Sequence, residues 1–138
     1  MTVATTDPSA PPAVSAHLLP VLDAAAHASA DAHEATRSLS DAMLSCLRLP
    51  AEVYQHVPQL SPATEAVTAA GRALTAAAGH ALADPSPERL SALHQATGEV
   101  RTAAAALRAA THALRTAAAW YAEVPPLPRP DPNGPKNA

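Results

Sequence analysis

The chain contains no phenylalanine and no isoleucine, and its only aromatic residues are Tyr54, Trp120 and Tyr121. A core has to be assembled from leucine, valine and alanine. Alanine lacks three of leucine's side-chain carbons, at about 0.8 kcal/mol of burial free energy per CH2. Such a core predicts a modestly stable protein that depends on helix length, close helix approach and helix propensity.

Cysteine is limited to Cys46, which excludes an intrachain disulfide and a cysteine-rich zinc site and predicts a reduced, cytoplasmic compartment. Four glycines supply neither a phosphate-binding glycine loop nor a Gly-x-Ser-x-Gly nucleophile elbow. Lysine occurs only as Lys136 and asparagine only as Asn133 and Asn137, against many residues with GC-rich codons, which points to a high-GC bacterial source. The net charge of −3 argues against a nucleic-acid partner, because phosphate binding needs an excess of cations. Long apolar runs are also missing. The alanine tract after Val100 is broken by Arg101, Arg108 and Arg115, so no membrane span is expected. The first twenty residues have neither a basic start nor an apolar run, so no cleaved signal peptide is expected.

What is abundant is alanine at helical spacing. From Leu93, every seventh residue reads Leu93, Val100, Leu107, Leu114 and Tyr121, and the line three residues earlier reads Leu90, Thr97, Ala104, Thr111 and Ala118. This is an a/d heptad seam over residues 87–122, the pattern of a helix packing lengthwise on neighbours. A second seam runs from Leu18 through Val21, Ala25, Ala28, Ala32 and Ala35 to Leu39, Ala42, Cys46 and Leu49. Its small middle residues allow two axes to approach toward the short end of the usual 8–10 Å range. A third pair of lines holds Leu60, Val67, Leu74 and Ala81 beside Ala63, Ala70 and Ala77.

Prolines punctuate these seams. Pro20 suits a first helical turn, Pro50 ends that helix, and two Ser-Pro pairs, Ser61-Pro62 and Ser86-Pro87, read as capped helix starts. The expected helices are therefore about 20–49, a short 51–57, 62–82 and 87–122. They lie in a helical domain over 15–123, between a disordered tail at 1–14 and a proline-rich tail at 124–138. The connector 84–88 is short enough to make an antiparallel hairpin. The expected fold class is all-α, an alanine-rich up-down-up three-helix bundle, with dimerisation of an extended hairpin as the other use of the same seams.

Seven histidines raise the question of metal. None is preceded at i−3 by glutamate, the spacing of helical di-iron sites, and no His-Glu-x-x-His occurs. The line Asp23, His27, Asp31 offers weak divalent binding on a face away from the alanine seam. Cys46 falls in a seam, where a thiol behaves as a small apolar group. The sequence therefore predicts no catalytic, cofactor-binding or metal residues and no cofactor.

One constellation has direction. His94, Arg101, Arg108 and Arg115 recur every seven residues beside the Leu/Val line, while the opposite flank, Ala96, Ala103, Ala110 and Ala117, is all alanine. None of the three arginines has an acid three or four residues away in its own helix, so each must pair with another helix, a partner or water. This stripe is the candidate interaction site. The segment Pro125-Pro126-Leu127-Pro128-Arg129-Pro130 resembles a ligand for proline-binding modules such as SH3 or WW domains, while its composition is equally that of a plain solvated tail. The functional expectation is a non-enzymatic helical interaction protein that self-associates or captures a partner helix, with a second copy or an acidic protein as partner. The alternative is a small helical-bundle metal-binding protein or enzyme using surface histidines.

Overall fold

A computed structural model describes residues 12–123, with side chains from residue 16 onward. The described residues are all-α and form four helices: α1 (Pro12–Ser45), α2 (Glu52–Gln55), α3 (Leu60–Ala83) and α4 (Pro87–Glu123). Most of the expected N-terminal tail and the expected proline-rich tail lie outside the described residues.

α1 departs from expectation at both ends. It begins at Pro12 and carries Pro20 inside it rather than at its first turn. An interior proline removes one backbone donor and crowds the carbonyl four residues earlier. The turn upstream is nevertheless held, because Leu18 packs with Val21 and Leu22 against the cluster built on Leu90 and Leu93. At the other end α1 stops at Ser45, before Pro50 is reached. Cys46 and Leu49 donate to carbonyls three residues back, at 3.0 Å each, so the chain tightens into turns ahead of the proline.

The starts of α3 and α4 contrast. α3 begins at Leu60 with Gln59 at its cap position and no side-chain cap bond, so Ser61 lies within the helix and does not cap it. Ser86 does act as expected: its Oγ accepts from the Arg89 amide at 3.2 Å. Arg89 then spans the hairpin, donating from its guanidinium to the carbonyls of His80 at 3.0 Å and Asp84 at 3.4 Å. It thereby satisfies carbonyl groups at the C-terminal end of α3.

α4 is the element against which the others pack, and α1 and α3 touch each other far less than either touches α4. The contacts of Arg108 with Asp31 and of Arg115 with Ser38 both join residues 77 apart. A constant offset means that contacts climb α1 and α4 in the same sense, and 77 is a whole number of heptads. α3 meets α4 in the opposite order. Leu74 and Ala81 share a cluster with Leu90, Leu93 and Val100, whereas Ala63 joins Leu107 and Leu114 in the other.

The seam of α4 is buried along most of its length. Leu93, Ala104, Leu107 and Leu114 are fully enclosed, while Ala118 and Tyr121 at the end are half-buried. Two threonines lie in it. Thr97 Oγ1 donates to the Leu93 carbonyl at 2.8 Å, whereas Thr111 Oγ1 is buried without a hydrogen-bond partner.

Candidate functional site

The two flanks of α4 lead to different places. His94, Arg101, Arg108 and Arg115 are all exposed, and the heptad offset points this stripe along α1. Arg108 pairs with the Asp31 carboxylate, and the Arg115 guanidinium donates to the Ser38 carbonyl at 3.1 Å. The same offset sets Arg101 opposite Ala24, whose side chain offers no acceptor. It sets His94 opposite His17, and these two histidines line one apolar groove with Pro20, Val21 and Leu90. The partners on α1 were not readable from the sequence of α4 alone, because they depend on the register between two helices 77 residues apart.

The alanine flank meets α3. Ala96, Ala103 and Ala110 are buried there and Ala117 is half-buried. Next to them the surface between α3 and α4 stays open as two hollows that share Ala66 and Ala106. Their walls are Ala69, Ala70 and Ala73 on one helix and Ala109 and Ala113 on the other, with Gln59, Gln95 and Glu99 among the few polar groups. On α4 this trough runs from Gln95 to Ala113, about 27 Å or five turns. Its openness follows from chemistry: methyl groups cannot fill the space between two helical cylinders. A further groove separates α1 from α3, lined by His33, Thr36, Thr68 and Arg72 over Val100.

All seven histidines are exposed, and among the described residues no group of three or more His, Cys, Asp or Glu side chains is placed to hold a metal ion. His27 approaches the Asp23 carboxylate at 3.5 Å, and Arg37 pairs with Glu34 at 4.0 Å. Both are exposed contacts within one helix, the class worth about 0.3–0.5 kcal/mol. Cys46 is buried, so its thiol is shielded from solvent.

The end of α4 carries a cluster that the sequence reading passed over. Trp120, Tyr121, His56 and His112 line a groove of about 560 Å³ with Ala113, Thr116 and Ala117. The signal available was the scarcity of aromatic residues together with the adjacency of two of the three. Among the described residues no helix is long and apolar enough to cross a membrane. No protein-family model, no curated protein and no solved structure matches the chain.

Proposed function

We propose that the chain is a non-enzymatic helical interaction protein, built as an alanine-rich up-down-up three-helix bundle that self-associates through the trough between α3 and α4. The observation that carries this reading is the trough itself, an apolar channel about five turns long with few polar groups along it. A helix laid in it meets alanine on both sides, which permits close axial approach and makes shape the main source of affinity. A second copy is the proposed occupant, and a foreign partner helix is the other outcome of the test. The arginine stripe contributes to an acidic partner only where it is not engaged with α1, which leaves Arg101 as its free cation among the described residues. The buried thiol suits a reducing, cytoplasmic compartment.

Sedimentation velocity on the wild type and on an Ala106→Arg, Ala109→Glu variant tests the proposal. Both positions are exposed, so helicity should be unchanged while association weakens by about tenfold or more, the effect of placing charge in an apolar contact. A variant that associates like the wild type would remove the trough from consideration. Association that falls steeply with added salt would transfer the role to the arginine stripe.

One observation favours the alternative of a metal-binding protein or enzyme. Histidines come in twos at both ends of the molecule, His17 with His94 and His56 with His112, each pair lining one groove. Stoichiometric metal retained by the purified protein through gel filtration would support that alternative and displace the interaction reading.

A further inference from the structure

The end of the molecule where α4 stops gathers the residues scarce elsewhere. Trp120 and Tyr121 stand edge to face with ring centres 5.1 Å apart, and the Tyr121 ring leans on His56 at 5.9 Å. The Tyr121 hydroxyl lies 3.4 Å from His56 Nε2. With His112, Ala113 and Ala117 these rings form an open groove of methyl groups and ring faces. Trp120 is 56% exposed, so the largest apolar side chain in the protein stands half in water.

Aromatic-lined grooves of this kind dock polyproline II segments. Proline rings stack on the aromatic faces, and the ligand is already extended, so little entropy is lost on binding. The chain carries such a ligand immediately after α4, in Pro125-Pro126-Leu127-Pro128-Arg129-Pro130. The geometry points to this segment of a second copy as the occupant of the groove, so that two chains exchange their proline-rich segments. The inference is separate from the alanine trough, which the groove meets only at Ala113.

Two features select a second copy over the chain's own segment. Only Val124 lies between Glu123 and Pro125, so the chain's own segment would have to double back within that one residue to lie along the groove, which runs from Tyr121 toward His112. The segment that follows, Pro125 to Pro130, has proline at four of its six positions and no glycine, asparagine or aspartate. The first turn-forming sequence, Asp131-Pro132-Asn133-Gly134, comes only after it. The length also fits: six residues at about 3.1 Å each reach roughly 19 Å, enough to cover the roughly 14 Å of helix from His112 to Tyr121. Reciprocal exchange about a two-fold axis would close the assembly at two chains.

Trp120 is the only tryptophan, so its emission reports the groove directly. In the full chain the emission should move to the blue as protein concentration rises, in step with the sedimentation coefficient. A Pro125→Ser, Pro126→Ser, Pro128→Ser variant should lose that shift and regain it when a synthetic peptide of residues 124–131 is added. The trough-blocked Ala106→Arg, Ala109→Glu variant should keep it, which separates this exchange from the association proposed above. With the same peptide carrying a fluorescent label, Trp120→Ala should bind at least about tenfold more weakly than wild type, as expected for a central aromatic anchor. A blue-shifted emission independent of concentration would instead assign the groove to the chain's own segment. A concentration-dependent shift that survives the proline substitutions, or no response to the peptide, would overturn the inference.

Discussion

α4 presents two flanks built on opposite principles. Toward α1 it extends long cationic side chains, which lie across the seam and find a carboxylate at Asp31 and a carbonyl at Ser38. Toward α3 it presents alanine, and that contact is closed by Leu74 in the core and by Arg89 at the hairpin. The first flank directs most of its polar reach inward and leaves little with which to bind a partner. The second has almost no polar reach, and because methyl groups fill so little space it leaves an apolar channel in water. Open apolar surface therefore arises where the side chains are smallest.

The comparison breaks most completely if the seam beneath both flanks is cut. Leu107 is fully buried and belongs to the cluster that joins α1, α3 and α4. Leu107→Ala should cost about 2–5 kcal/mol by denaturant unfolding, a large share of the stability of a domain with so few large core residues. A loss below about 1 kcal/mol would mean that each flank holds its neighbour without the seam.

Thr111 sharpens the same point in the other direction. Its hydroxyl is buried without a partner, and Thr111→Val keeps the branched shape while removing the polar atom. Stability should rise by about 1 kcal/mol or more, the order of penalty for a buried unsatisfied group. A fall in melting temperature would reveal a partner that the hydroxyl finds in solution.

The alanine flank can be stiffened next. A Cβ added at Gly71, Gly79 or Gly98 meets nothing within 4 Å, so each Gly→Ala change should add about 0.4–1 kcal/mol through helix propensity and unfolded-state entropy. Gly98 lies on the wall of the trough, so Gly98→Ala alone should also alter association in sedimentation. A loss of stability at Gly98 would show that α3 and α4 approach more closely in solution.

The smallest effect belongs to the charged flank. Replacing Arg101, Arg108 and Arg115 together with Gln should lower stability by about 1 kcal/mol or less, because partly exposed ion pairs contribute about 0–1 kcal/mol. Arg108→Gln should account for most of that change, and Arg101→Gln should leave the melting temperature where it was. A large loss on removing Arg101 would show that it has found an acid across the seam.

The sequence made the faces legible and the ends less so. Every position of the α1 seam from Leu18 to Leu49 is at least half-buried, and the α4 lines are buried from Leu90 to Leu114. Heptad spacing reports which side of a helix is apolar, and that depends only on neighbours a few residues away. Where a helix starts is a closer competition. Pro20 reads as a start because proline is tolerated there, yet the packing of Leu18 carries the helix through it. Ser61 reads as a cap by the same rule as Ser86, but only Ser86 makes the bond. Arg89 escaped notice because its hydrogen bonds go to backbone carbonyls, which no side-chain pattern marks, although the Asp84 carboxylate also lies 3.7 Å from its guanidinium. The aromatic groove escaped because His56 and Tyr121 meet at a sequence separation of 65.

The whole-heptad offset between α1 and α4 has a consequence for how the two helices find their alignment. Arg101, Arg108 and Arg115 occupy one line at intervals of about 10.5 Å, and any of them can reach Asp31 if α1 slides by one heptad. The alanines of the α1 seam look nearly the same after such a slide. The charges thus work as a rack with three equivalent teeth: they choose which faces meet and are indifferent to how far along. The stop is set by bulk. Leu39 fills a place in the cluster of Leu107 and Leu114 that Ala32, one heptad earlier, would leave partly empty.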